Sequence, residues 1–357
     1  MATRELFLRY PKARSLPFVE LATLPTPVEP LTDLSREVGL PELWVKRDDL
    51  SGSQYGGNKV RKLEFILGDA LEKKEARVWT VGAVGSHHVL ATSIYARQLG
   101  LIPEALHFPQ PKTSHVREVL YALSTTNPSL TLLSSKNGLP GAMIKTRVKE
   151  WLSRGENPYY IPGGGSSPAG VLGYVNAGLE LARQIEDSEM PMPDALFVAA
   201  GTCGTLAGLV LGTKMAGLPF PIIGVRVVDK VISNPLLTRS LANKAGKLLR
   251  AAGLSVPQVE LQDIQMIDDQ IGAGYGVPTH EGAQVQRAVN SMGIFELDPT
   301  YTAKAFAGMV DFHKKKGSPG NGRYLYWHTL SGADLGSLIE KADPKTNLPR
   351  EYEEYWQ

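Results

Sequence analysis

Apolar residues along the chain follow two periods that take turns. After Gly56-Gly57-Asn58, the residues Val60, Leu63, Ile66, Leu67, Ala70 and Leu71 recur at spacings of three and four with Lys and Glu between them, which predicts a helix with one buried face. Short runs rich in Val, Ile, Leu and aromatic residues occur at 43–46, 77–81, 105–108, 130–133, 195–200, 222–228 and 323–328, and these predict strands. Helical patterns follow many of them, at 89–99, 169–185, 206–215 and 281–291. Strands alternating with helices at this length predict parallel sheets covered on both faces. Pro11, Pro17, Pro25, Pro27 and Pro30 make the lead-in extended or turn-rich, a short helix over 31–38 closes at Gly39, and Lys314-Lys315-Lys316 reads as a solvated loop.

Three turns between these elements could carry chemistry. In the first, Asn58 reads as a helix N-cap and Lys59 as the first helical residue. The positive end of the helix dipole and the nearby Arg61 and Lys62 would each lower the Lys59 pKa, favouring the neutral amine that a Schiff base requires. A solvated surface lysine fits the same nine residues. In the second, Gly201-Thr202-Cys203-Gly204-Thr205 lies between a buried strand and a helix, a layout that offers backbone N–H groups to a phosphate. Its glycine spacing matches neither a P-loop nor a dinucleotide fingerprint, and a plain tight turn fits equally. In the third, Ser86-His87-His88 sits at another strand-to-helix turn, where a substrate carboxylate could bind or Ser86 could simply cap its helix. No Gly-x-Ser-x-Gly elbow supports a Ser-His-Asp triad.

Composition narrows the setting. A length of 357 residues suggests about two domains, and 43% hydrophobic with 21% charged residues is ordinary for a folded chain. With 38 Lys plus Arg against 36 Asp plus Glu, the net charge of +2 gives no support to a nucleic-acid or anionic-membrane partner. One cysteine, Cys203, excludes an intramolecular disulfide, no Cys/His spacing suggests a metal site, and a reducing, cytoplasmic location is expected. Neither a signal peptide nor a transmembrane segment is expected.

Taken together, these segments resemble the fold-type II pyridoxal-phosphate (PLP) enzymes, and within them the branch containing D-cysteine desulfhydrase and 1-aminocyclopropane-1-carboxylate (ACC) deaminase. The resemblance runs through residues 24–31, 44–50, 56–64, 161–166, 170–174, 201–208, 275–278, Asp298-Pro299-Thr300-Tyr301-Thr302 and Trp327-His328-Thr329. It implies an α/β, tryptophan synthase β-like fold with a large domain of 1–61 and 169–357 and a small inserted domain of 62–168. It also implies that PLP is the cofactor, held covalently by Lys59 and through its phosphate by Gly201, Thr202, Cys203, Gly204 and Thr205, with Asn58 beside its polar edge. Ser86, Tyr275 and Tyr301 are implied as proton-carrying groups that also face the substrate, with His87, His88 and His328 near it. A homodimer is usual in the family.

Thr302 falls where the family places the partner of the pyridine nitrogen. ACC deaminases carry Glu there, and a neutral hydroxyl can leave the nitrogen unprotonated, which weakens the electron sink. That favours β-elimination of a good leaving group from a small amino acid, as in D-cysteine desulfhydrase, giving pyruvate, ammonia and the leaving group. ACC deamination and elimination from another β-substituted amino acid such as cysteate are the alternatives. Two positions depart from the family: His87 stands where Asn is usual, and Thr329-Leu330-Ser331-Gly332 replaces Thr-Gly-Gly. They leave open a PLP-binding protein without turnover, and a binding protein in which Lys59 is only structural.

Overall fold

The structure is a computed structural model that describes residues 4–135, 138–155, 158–316, 322–340, 342–343 and 347–356. Among these, the strands are β1 (Val28–Pro30), β2 (Glu42–Arg47), β3 (Arg77–Ala83), β4 (Ile102–Phe108), β5 (Ser129–Leu132), β6 (Tyr159–Ile161), β7 (Ala195–Ala200), β8 (Ile222–Arg226), β9 (Gln265–Ile267) and β10 (Arg323–His328). They form two sheets, which belong to two compact units.

The first unit comprises Met1–Phe65 and Ser166–Gly332, with strand order β1-β2-β10-β7-β8-β9. Only β1 runs antiparallel to its neighbour, pairing Val28 with Lys46; β2, β10, β7, β8 and β9 are parallel. Alternate residues of the central strands feed two cores. Leu196, Val198, Leu325 and Trp327 pack on one face with Val171, Val175 and Leu206, while Phe197, Tyr324 and Tyr326 pack on the other with Val225, Ala303 and Phe306. Side chains of a strand alternate between faces, so strands apolar at every position are those covered on both sides.

The second unit comprises Ile66–Gly165 and Ala333–Gln357, with an all-parallel sheet of order β5-β4-β3-β6. Trp79, Val81 and Leu106 form a small core on it.

The division differs from the expected one in two ways. It falls after Phe65, inside the helix Asn58–Glu72, because the start of that helix packs on the first unit: a Cβ at Gly173 would stand 2.1 Å from the Arg61 carbonyl oxygen, and Phe65 joins the first core. The C-terminal segment groups with the second unit instead of the first. There the Tyr352 hydroxyl and His107 Nδ1 lie 3.0 Å apart, and Lys112 pairs with Glu354 at 2.8 Å. Lys314 and Lys315 are exposed but belong to the helix Thr302–Lys316, not to a loop.

Because β2, β10 and β7 are parallel neighbours, their carboxyl ends lie along one sheet edge. The segments that leave this edge lead to Lys59, Thr329 and Gly201, and such edges are where open α/β folds bind ligands.

Candidate active site

Asn58 is the first helical residue and not the cap outside it. Gly57 precedes it at φ +79°, and a Cβ there would lie 2.8 Å from the Thr329 carbonyl oxygen, so both the backbone and the space require glycine. Asn58 N–H donates to that same carbonyl over 3.1 Å, which ties the helix start to the end of β10. With its backbone so held, the Asn58 side chain is spent elsewhere. Its Nδ2 donates to Thr205 Oγ1 over 3.2 Å, and its Oδ1 accepts from Lys59 Nζ over 2.6 Å.

Lys59 is half-buried, and burial lowers its pKa to about 8 against an opposing pull from Asp298. Arg61, two residues on, does not act as the free like charge expected from the sequence. It is fully buried and donates to both oxygens of Asp48, at 2.7 to 3.1 Å, and to Glu180 at 2.9 and 3.0 Å. Tyr174, Trp327 and Thr26 also donate to Asp48, and Lys46 donates to Glu180, so this network under the helix start balances its own charges. Lys62 is also buried. Its pKa falls well below the usual lysine range, through burial first and then the Lys59 charge.

The turn after β7 enters the helix Gly204–Met215 through Cys203, whose backbone is left-handed at φ +65°. The Cys203 side chain points away from the turn into the first core, 3.5 Å from Ser233 Oγ, so only its backbone is available to a ligand here. Ser166 Oγ accepts from Gly204 N–H over 3.1 Å and lies 2.7 Å from Thr202 Oγ1. A Cβ at Gly204 would come within 2.5 Å of that oxygen. The first amides of a helix have no partner inside it, so this end presents N–H groups and the Thr202 and Thr205 hydroxyls to an anion.

Tyr301 packs beside the turn, with its ring 3.5 Å from where a Gly201 Cβ would stand. Its hydroxyl lies 2.6 Å from that of Tyr275. Burial raises the pKa of both phenols, and the Asp298 charge adds to the effect, so both stay protonated near neutral pH. Asp298 holds the entry to the helix Thr302–Lys316: Oδ1 accepts from the amides of Thr300 and Tyr301, and Oδ2 from the amide of Thr302. Buried Lys304 donates to the carbonyls of Ile271 and Gly274, over 2.9 and 3.2 Å, and so supports the loop before Tyr275. His328 is buried at the end of β10, stacked on Phe295 at 4.4 Å, and burial brings its pKa down to about 4.

Lys59, Asn58, Gly201 to Thr205, Tyr275, Tyr301 and Thr302 are therefore brought together within the first unit. Ser86, His87 and His88 belong to the second. There Ser86 caps the helix His87–Gln98, accepting from Val89 N–H over 3.4 Å. Thr80 gives its hydroxyl proton to the Ile161 carbonyl and therefore accepts from His88 Nε2, 2.8 Å away. His87 Nε2 lies 2.8 Å from His115 Nε2. Ser166 and Asp298 lie in segments that carry the resemblance but had no role assigned from the sequence, and Lys304 lay outside them. Asp298 had a signal, an acid just ahead of a helical pattern, whereas the other two depend on contacts distant in sequence.

A model of the pyridoxal-phosphate-dependent enzyme family matches residues 19–329. The chain belongs to that family. It is 38% identical over 318 residues to a putative 1-aminocyclopropane-1-carboxylate deaminase of Pyrococcus horikoshii, covering 88% of this chain and 91% of that protein. It is 35% identical over 321 residues to the D-cysteine desulfhydrase of Salmonella newport, covering 88% and 93%. A crystal structure of an ACC deaminase homologue superimposes with a TM-score of 0.76 at 34% identity, covering 95% of this chain and 100% of that one. The architecture is that of the fold-type II PLP enzymes, the cofactor is PLP, and the chain is a PLP-dependent lyase or deaminase. The first unit's residues fit that cofactor: a lysine amine with lowered pKa is linked through Asn58 to a helix N-terminus that has no room for a side chain at Gly204. Among the described residues no helix is long and apolar enough to cross a membrane, and no cluster of three or more His, Cys, Asp or Glu could hold a metal.

Proposed function

We propose that this enzyme removes the α-proton of a small amino acid and expels a good leaving group from its β-carbon. D-Cysteine is the first candidate, giving pyruvate, ammonia and hydrogen sulfide. One arrangement supports this reading: an amine whose pKa burial lowers to about 8 and two phenols that burial keeps protonated are gathered around one glycine-rich helix N-terminus suited to an anion. Bound PLP supplies the electron sink for negative charge at the substrate α-carbon. Lys59 Nζ would hold the cofactor, and as a neutral amine it would take the substrate α-proton. Tyr301 and Tyr275 donate hydrogen bonds and a proton on the leaving-group side. The Gly201–Thr205 turn orients the cofactor through its phosphate, with Asn58 fixing the amine to that turn. Ser86 is proposed to take part in substrate binding and proton movement. His328, neutral at neutral pH, bears on substrate fit without adding charge. We further propose a homodimer in the cytoplasm.

A second reading, deamination of ACC, is favoured by the way the Thr302 hydroxyl is bonded to Asp298. An assay of α-keto-acid release over D- and L-cysteine, D-serine, β-chloroalanine, cysteate and ACC decides. D-Cysteine should be turned over fastest, with sulfide released. Faster turnover of ACC would establish the second reading. PLP-loaded protein that turns over none of them would be a binder only.

A further inference from the structure

Thr302 Oγ1 has one proton and two lone pairs, and the structure accounts for the proton and one pair. The hydroxyl donates to Asp298 Oδ2 over 2.6 Å, a short bond of the kind made to a carboxylate. The only other acceptor it reaches among the described residues is the carbonyl of the same residue, at 3.3 Å. In return it accepts from the Asp298 N–H over 2.7 Å. Both residues are buried, at 1% and 7% exposure, and Tyr326 donates to the Thr302 carbonyl over 2.9 Å, which fixes the helix start. Asp298 forms no ion pair among the described residues. Lys304, the nearby cation, gives its hydrogen bonds to the carbonyls of Ile271 and Gly274. Asp298 Oδ1 also accepts from the Tyr301 amide over 2.7 Å, which sets its carboxylate beside the Tyr301–Tyr275 pair, and its charge acts on Lys59 and both phenols.

A hydroxyl so bonded has a single lone pair left and no proton to give. We propose that Asp298 is a positioning residue that fixes Thr302 Oγ1 as a hydrogen-bond acceptor toward the cofactor ring nitrogen and thereby holds that nitrogen protonated. The proposal rests on the family reading that Thr302 faces the ring nitrogen. An unprotonated nitrogen is itself an acceptor and would meet a second acceptor backed by a negative charge, which disfavours it in a buried site. The threonine and aspartate together then do what one acidic side chain would do. A hydroxyl at position 302 does not by itself weaken the electron sink, and the electronic case against ring opening of ACC falls away.

The test is the 15N resonance of the ring nitrogen in resting enzyme reconstituted with 15N-labelled PLP, followed from about pH 6 to about pH 9. The wild-type resonance should stay at the protonated position throughout. In Asp298→Asn, which keeps a capping side chain but loses the charge, it should move toward the unprotonated position within that range. Thr302→Val should move it likewise, and Thr302→Ser should restore the wild-type position. An unprotonated wild-type nitrogen, or a resonance unmoved in Thr302→Val, overturns the proposal. Should Asp298→Asn not fold, the valine and serine variants still decide. Borohydride reduction separates the two levels: wild-type protein that forms no PLP adduct on Lys59 overturns the family reading as well, whereas an adduct with an unprotonated nitrogen overturns this proposal alone.

Discussion

Asn58 Nδ2 donates to Thr205 Oγ1 over 3.2 Å, and this bond joins the lysine helix to the phosphate-type turn across 147 positions of sequence. The same side chain accepts from Lys59 Nζ, so one amide sets the distance between the amine and the turn. Asn58→Ala should reduce stability by about 1 kcal/mol in urea denaturation of the PLP-free protein, the usual net loss for such bonds. It should also make PLP dissociate faster, as followed by loss of cofactor absorbance. Unchanged dissociation would show that the amide does not set the amine's position.

Lys59→Ala should abolish the borohydride-stable adduct and lower α-keto-acid release by roughly 10²–10⁴-fold or more, the range for loss of a general base. Peptide mass spectrometry and a coupled keto-acid assay read the two effects. An adduct on another lysine, or a mutant with wild-type turnover, would refute the assignment.

The PLP-free protein should capture PLP at a rate that rises with pH and levels off above about 8, because only the neutral Lys59 amine reacts. Burial lowers this pKa from 10.5, so the protonated amine is the form that the fold disfavours. Lys59 therefore lowers stability below pH 8, and that penalty is relieved as pH rises from about 8 toward 10.5. Stopped-flow capture rates against pH give the apparent value. A midpoint near 10.5 would mean that the amine is solvated.

Tyr301→Phe and Tyr275→Phe each remove one hydroxyl of a pair 2.6 Å apart. Each should lower kcat by about 10²-fold while leaving the thermal midpoint near that of wild type, since a phenyl ring keeps the packing. Steady-state kinetics beside a melting curve separate the two. A loss confined to KM would make the tyrosines binding groups and not proton carriers.

Asp48→Asn leaves Arg61 buried with one of its two carboxylate partners and should cost about 3–5 kcal/mol by urea denaturation near neutral pH. Glu180 works in the same network. Burial raises its pKa, but Arg61 and Lys46 outweigh that and hold it well below the usual carboxylate range. Its contribution is therefore present above about pH 4.5 and lost as pH falls toward its folded value. In Glu180→Gln, the acid side of the stability profile should be flatter than in wild type.

Much of the fold was legible because it depends on short-range pattern. The runs at 195–200 and 323–328 coincide with β7 and β10, and the glycine-rich turn between β7 and its helix is where strand and helix periods meet. The order of these segments also carried the family resemblance. What the sequence by itself determined was which elements form, which turns could bind an anion, and which lysine lies at the start of the decisive helix.

The state of those groups was decided only by the tertiary structure, because burial and charge balance depend on residues far apart in the chain. Local sequence assigned the low Lys59 pKa to the helix dipole with Arg61 and Lys62, yet Asp48 and Glu180, 13 and 119 positions away from Arg61, take up its charge, and desolvation is what chiefly lowers the Lys59 pKa. Cys203 lies in the expected turn but faces the core. The last residues group with the second unit through contacts such as Tyr352 with His107, 245 positions apart. Thr302 was visible as a neutral hydroxyl, but whether it gives or receives a proton depends on where Asp298 places its carboxylate, and only folding sets that direction.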